Sequence, residues 1–261
     1  MLIDTHCHLN FDRYDEDRDD LLTRAANAGV TQVVNPGIDL DSSRAGIALS
    51  QQYDGVYAAV GVHPNSTANW SDDWLAIFEQ MATENTKVVA IGEIGLDYYW
   101  DKSPKDVQAK AFRAQLGLAA HLELPVIIHN RDAGSDVMDI LEAWVKILPP
   151  SLKERPGVLH SFLDTLPTAQ RALDAGFYIG FTGPVTFKNG ENVRHIAAQV
   201  PLNRILVETD GPFLTPHPYR GKRNEPAYIP HIVERLAAIH GLSSEEMGRH
   251  TTENANRLFN L

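Results

Sequence analysis

The feature that most constrains this chain is a series of eight short apolar runs, each bounded by glycine, proline or polar residues and separated by longer stretches of helical period. The runs are Leu2–His6, Gln32–Pro36, Tyr57–His63, Val88–Glu93, Pro125–His129, Gly157–His160, Phe177–Phe181 and Ile205–Asp210. They are mostly β-branched or aliphatic, as in strands buried on both faces of a parallel sheet that helices cover. Between them, Phe112, Leu116 and Ala119 recur at i, i+4, i+7, as do Ile232, Leu236 and Ile239, which is the spacing of one helix face. Ser243 with Glu246 makes a capping box that opens a last helix ending near Leu258. This alternation predicts an α/β fold: a single-domain (β/α)₈ TIM-like barrel over residues 1–261, with its active site at the C-terminal ends of the strands. A doubly wound open sheet alternates in the same way, but no Gly-x-Gly-x-x-Gly follows the first strand. The acidic run Asp15–Asp20 reads as a solvated helix start, and Leu148–Pro156 as a surface loop before the sixth strand.

Composition narrows the class. A 43% hydrophobic content fills a sizeable core, which excludes a disordered or disulfide-stapled chain. Cys7 is the sole cysteine and cannot form an internal disulfide. No apolar run approaches the ~20 residues of a membrane span, and Met1-Leu2-Ile3-Asp4 lacks the basic and apolar regions of a leader, so a cytoplasmic location is expected. Lys and Arg total 23 against 34 Asp and Glu, a net charge of -11. That balance disfavours clamping of long duplex nucleic acid but allows a local cationic centre that captures a phosphate. Nothing implies an obligate protein partner.

Where the histidines fall decides the chemistry. His6 and His8 share one side of an extended segment, because strand period is 2. A lone His-x-His is weak evidence. Here, however, Glu93, His129, His160 and Asp210 all fall at predicted strand ends, with His63 at another and Glu208 two residues before Asp210. Mixed imidazole and carboxylate sets suit divalent cations in hydrolytic sites, and a carboxylate such as Glu93 can bridge two of them where an imidazole cannot. Two such cations leave excess positive charge, which attracts an anion and lowers the pKa of bound water to about 7. A phosphodiester is therefore favoured over a neutral amide. Their identity stays open among Zn, Mn, Mg, Fe and Ni.

Three neighbouring segments are candidates for substrate contact. Arg220-Gly221-Lys222-Arg223 is a compact basic loop, so Lys222 and Arg223 are candidate phosphate contacts. Asp97-Tyr98-Tyr99-Trp100 offers flat faces, Tyr98 among them, on which unpaired bases could stack. Arg131, next to Asp132, could reach a phosphate or orient a ligand.

Six ordered segments resemble the TatD family of metal-dependent hydrolases over essentially the whole chain. They are Asp4-Thr5-His6-Cys7-His8-Leu9, Gly61-Val62-His63-Pro64, Gly92-Glu93-Ile94-Gly95-Leu96-Asp97-Tyr98, Ile127-Ile128-His129-Asn130-Arg131-Asp132, Glu208-Thr209-Asp210-Gly211-Pro212 and Arg223-Asn224-Glu225-Pro226. The resemblance implies a barrel with two divalent metal ions, one held by His6, His8, Glu93 and Asp210, the other by Glu93, His129 and His160. It places His63 and Glu208 at the active site in supporting roles. One departure is His160-Ser161-Phe162, where the family commonly has His-Cys-Phe.

The resulting expectation is a hydrolase of phosphodiester bonds, a deoxyribonuclease with Asp210 as both ligand and proton acceptor. Exo or endo action and polarity stay open in the residues, and trimming of single-stranded DNA from the 3′ end is what the family resemblance implies for some members. The alternatives are an esterase or amidohydrolase such as an aminoacyl-tRNA deacylase, and a non-catalytic metal-holding or interaction module.

Overall fold

The computed structural model describes residues 1–261. Eight parallel strands pair in sequence order: β1 (Leu2–Asp4), β2 (Val30–Pro36), β3 (Val56–Val60), β4 (Val88–Asp97), β5 (Val126–Arg131), β6 (Gly157–Leu159), β7 (Tyr178–Phe181) and β8 (Ile205–Val207). The seam between β1 and β8 is drawn together by Thr5 N–H to Val207 O (3.2 Å) and, beyond the strands, by Asp210 N–H to His6 O (2.8 Å). A nearly closed parallel barrel is thus formed, as the strand periodicity predicted.

The helices are α1 (Arg18–Asn27), α2 (Leu40–Gln52), α3 (Trp74–Glu84), α4 (Lys105–Leu122), α5 (Gly134–Val145), α6 (Pro150–Lys153), α7 (Leu166–Asp174), α8 (Glu191–Ala197), α9 (Ile229–His240) and α10 (Ser244–Phe259). None is long and apolar enough to cross a membrane. The capping box predicted from Ser243 and Glu246 forms: the Ser243 hydroxyl accepts from Glu246 N–H at 3.2 Å, and Glu246 Oε2 accepts from Ser243 N–H at 2.9 Å.

The apolar material divides into layers. The large cluster, with Phe112, Leu116, Ile232 and Leu236, fills the space between strands and helices. A second cluster joins Ile3, Val34, Val89, Ile127, Val158 and Leu206, which come from strands all around the barrel and can meet only inside it. Ala255, Leu258 and Phe259 of α10 belong to this cluster, so the last helix plugs the end of the barrel where the strands begin.

Several expected boundaries move. β4 does not end at Glu93 but continues to Asp97, with a register shift between Ile91 and Ile94. The extension depends on Gly95, whose φ of 144° suits glycine and whose absent Cβ leaves room for the His129 carbonyl. Likewise His129 lies within β5 rather than at its end. β1, β3, β6 and β8 stop short of His6, His63, His160 and Asp210, which sit in the turns just beyond. Ladder hydrogen bonds end where the backbone turns to aim a side chain across the mouth.

The Leu148–Pro156 segment is no plain loop, since it contains α6 and buries Leu148 and Leu152. Nor is Asp15–Asp20 simply solvated. Asp17 stands between two guanidiniums, Arg24 at 2.9 Å and Arg223 at 2.7 Å.

Candidate metal centre and surrounding cleft

All six ligand candidates converge at the barrel mouth and form two donor sets around one carboxylate. In the first set, His6 Nε2 and His8 Nε2 lie 3.3 Å apart. Glu93 Oε2 is 3.5 Å from His6 and 3.7 Å from His8, and Asp210 Oδ1 is 3.8 Å and 3.7 Å from the same two atoms. Those carboxylate distances are long for hydrogen bonds. They are close to the spacing of about 3.4 Å between neighbouring ligands when four donors surround one cation at ~2.1 Å.

In the second set, Glu93 Oε1 meets His129 Nδ1 at 2.9 Å and His160 Nε2 at 3.3 Å. The other nitrogen of each ring is also engaged by a carboxylate: His129 Nε2 with Asp97 Oδ2 at 3.0 Å, and His160 Nδ1 with Glu208 Oε2 at 3.2 Å. A neutral imidazole has one N–H, so each ring needs either a second proton or a cation on its Glu93 side. Charge, donor type and spacing in both sets fit a divalent metal.

Glu208 is fully buried and also accepts from Ser161 N–H at 2.9 Å. It supports His160 and does not reach the open cleft. His63 accepts from Asn65 N–H through Nδ1 at 3.1 Å, which leaves its proton on Nε2, 3.7 Å from Glu93 Oε1. That distance is too long for a hydrogen bond, so His63 faces Glu93 without bonding to it.

The electrostatics reflect many titratable groups crowded out of water. Burial pulls His8 down to about 3, assisted by the neighbouring His6, and pulls His63 to about 3, assisted by His129. Burial also pushes Glu93 upward, but His160, His63 and the His129 hydrogen bond outweigh it and hold the carboxyl well below its usual range. Asp210 is raised to about 6 by burial, with His160 and His6 opposing.

The loops hold these groups in place through the backbone. Asp4 accepts from His6 N–H (3.2 Å) and Thr209 N–H (2.9 Å), so one buried carboxylate joins the segment bearing His6 to the one bearing Asp210. Asp210 has φ 54°, the left-handed region that Asp tolerates better than most residues. The Asn224 amide donates to Thr209 O (2.7 Å) and Phe213 O (2.6 Å), clamping the turn on both sides of Asp210.

Asp97 was not singled out from sequence as a site residue, although it ends the motif that begins with Gly92-Glu93. Its burial and the His129 contact identify it. Burial would raise it, but the His129 hydrogen bond and the N–H groups of Trp100 and Tyr99 bring it down to about 2.

A cleft of about 1250 Å³ opens over the donors. Among the expected substrate contacts, Arg131 lines it, while Tyr98, Lys222 and Arg223 do not. The Arg223 guanidinium is bound by both oxygens of Asp17 at 2.7 Å and lies over the Tyr14 ring. It braces the loop after β8 against the start of α1. Lys222 is exposed beside Tyr219. Tyr98 donates its hydroxyl to Asp136 at 2.6 Å and lies under Lys105, so its face is covered. Trp100, two residues on, lines the cleft in its place.

A parallel barrel with His, Glu and Asp donors gathered at the strand C-termini defines a metal-dependent hydrolase. The chain belongs to the TatD family: the profile described as "TatD related DNase" matches residues 3–260. It is 42% identical over 261 residues to the uncharacterized metal-dependent hydrolase YabD of Bacillus subtilis, covering 100% of both chains. It is 37% identical over 266 residues to the "3′-5′ ssDNA/RNA exonuclease TatD" of Erwinia tasmaniensis, again covering 100% of both. Among solved structures, the TatD homologue YjjV of Escherichia coli K12 superimposes with a TM-score of 0.92 at 32% identity, covering 100% of this chain and 98% of that one.

Proposed function

We propose that this hydrolase cleaves phosphodiester bonds in single-stranded DNA, acting from the 3′ end, with two divalent cations in the mouth of the barrel. One observation carries the two-metal reading: Glu93 turns Oε2 toward His6 and His8, and Oε1 toward His129 and His160. A single carboxylate facing two donor sets is the arrangement of a bridging ligand. When bound, the cations supply Lewis acidity toward a phosphoryl oxygen and lower the pKa of the attacking water.

The protein's own groups do the rest. Asp210 reaches the first donor set through Oδ1, where its carboxylate would take the proton of the attacking water and return it to the leaving oxygen. His63 faces Glu93 Oε1 with Nε2 at 3.7 Å, at the edge of the second donor set. Asp97 and Glu208 fix the His129 and His160 rings by their far nitrogens. Arg131 supplies a fixed positive charge at the lip, suited to a phosphate. The name of the Erwinia relative supports the substrate class and the polarity.

The test is a chelator-controlled assay on end-labelled single- and double-stranded oligonucleotides, with the metal content of the protein measured. Metal-restored shortening of single strands from the 3′ end is expected. Turnover of carboxylic esters or amides without any on oligonucleotides would overturn the phosphodiester reading. Full activity with one metal per chain would overturn the two-metal reading.

A further inference from the structure

We propose that the Tyr99–Trp100 turn, with Lys102 and Arg131, forms a seat for an unpaired nucleotide adjoining the scissile phosphate, and that Asp97 holds this seat in register with His129. The inference rests on the phosphodiester reading above and adds to it the group that selects a single strand.

Tyr99 and Trp100 remain 55% and 47% exposed, a large apolar area for two adjacent residues, and Trp100 faces the cleft. The Arg131 guanidinium, at the end of β5, lies 3.9 Å from the centre of the Tyr99 ring and 5.7 Å from that of Trp100. Lys102 Nζ is 5.8 Å from the Trp100 ring. Lys102 and Arg131 are the only lysine or arginine side chains that line the cleft, and they flank the same indole. Unlike Arg223 and Arg24, which are bound by carboxylates, neither takes part in an ion pair. Arg131 rests on the Tyr99 ring, so the flat open face is that of Trp100, and with two cations that no carboxylate pairs it matches a base and the phosphates on either side of it. Inside a duplex both faces of every base are stacked and only the terminal pair exposes one, so the seat favours unpaired strands.

The link to the donors runs through a single carboxylate. Asp97 Oδ1 accepts from Tyr99 N–H (3.0 Å) and Trp100 N–H (2.9 Å), while Oδ2 meets His129 Nε2 (3.0 Å) and accepts from the Asn65 amide (3.2 Å). One carboxylate therefore fixes both the turn that would carry the base and the imidazole beside the reaction.

The test uses metal-loaded protein and a phosphorothioate octathymidylate, which resists hydrolysis, so that affinity is read without turnover. Trp100→Ala should weaken binding by about tenfold or more, and Trp100→Phe should restore most of it, because stacking needs a flat ring rather than an indole. The double variant Lys102→Gln/Arg131→Gln should lower the slope of log affinity against log salt by about 1.4, or roughly 0.7 per lost phosphate contact. A blunt duplex of equal length should bind more weakly and respond little to Trp100→Ala. Unchanged affinity in Trp100→Ala, or equal weakening for single strand and duplex, would overturn the seat. Hydrolysis of bis(p-nitrophenyl) phosphate with no binding of the octathymidylate would overturn the seat and leave the phosphodiester reading standing. Trp100-dependent binding with no hydrolysis of either bis(p-nitrophenyl) phosphate or an unmodified octathymidylate would overturn the phosphodiester reading instead.

Discussion

The two ends of the barrel are built from the same eight strands and have opposite chemistry. Where the strands begin, Ile3, Val34, Val89, Ile127, Val158 and Leu206 close on one another, and α10 seals them with Leu258 and Phe259. Where they end, His6, His8, Glu93, His129, His160 and Asp210 crowd into a mouth that no apolar residue could replace. The first end gains stability by excluding water. The second gathers imidazoles and carboxylates out of water, a cost that cations held there would offset by taking the place of protons. The comparison teaches that packing and chemistry are separable in this barrel, with apolar layers inside its lower end and around its wall and the polar donors confined to its mouth.

The most severe way to break that separation is at the bridge. Glu93→Gln should abolish activity and lower the bound-metal stoichiometry while leaving circular dichroism and thermal unfolding near those of the parent protein, since the strand around it stays packed. Loss of the fold together with activity would show that the mouth is structural after all. Asp210→Asn should keep the fold and reduce kcat by about 10²–10⁴, the range for removing a general base, as measured at saturating metal.

The opposite experiment is at the plug. Leu258→Ala should cost about 2–5 kcal/mol in a denaturant titration, yet leave metal content and activity at 25 °C unaltered. Lost activity in folded Leu258→Ala protein would couple the two ends.

Within the mouth, a second contrast can be sharpened. His129 and His160 are each backed by a carboxylate, whereas Nδ1 of His6 and of His8 is buried without a hydrogen-bond partner. Asp97→Asn and Glu208→Gln should therefore each weaken metal binding by about 10–100-fold, read by competition with a fluorescent chelator, and in one class of site only. Equal weakening of every bound metal would show that the rings are not held independently.

The smallest effect concerns pH. The Arg223 hydrogen bond, then that of Arg24, holds Asp17 down to about 2 from its usual 3.8, against the opposing effect of burial. A carboxyl lowered in the folded state contributes stability above its unfolded value and loses it as pH falls through the folded one. The parent protein should lose this contribution between 3.8 and about 2, and Asp17→Asn should show a flatter acid limb there. The whole effect should be within ~1 kcal/mol, because the pair is only partly buried.

The strand count, the helix faces and the capping box at Ser243 were legible in the sequence because each is a local pattern whose period the backbone imposes. The candidate donors were legible for a similar reason, since six residues of strong ligand type in turn-bounded positions are rare by chance. What was not legible depended on neighbours distant in the chain. Asp97 appeared as the start of an aromatic stretch until β4 was seen to run four residues past Glu93 and bring it against His129. Arg223 appeared free to bind phosphate until Asp17, 206 residues away, was found to hold it. Tyr98 and Trp100 carry equal promise in a linear reading, and only the packing of Lys105 and Asp136 separates the covered ring from the open one.

Taken alone, the order of residues settled the repeated strand–helix plan and named the candidate metal-binding side chains, because short-range periodicity and intrinsic ligand chemistry need no partner. Tertiary structure alone decided which oxygen of Glu93 faces which imidazole pair, which carboxylates stand behind them, and which cations are left for a substrate. Those outcomes depend on distances of a few ångströms between segments that only closure of the barrel brings together.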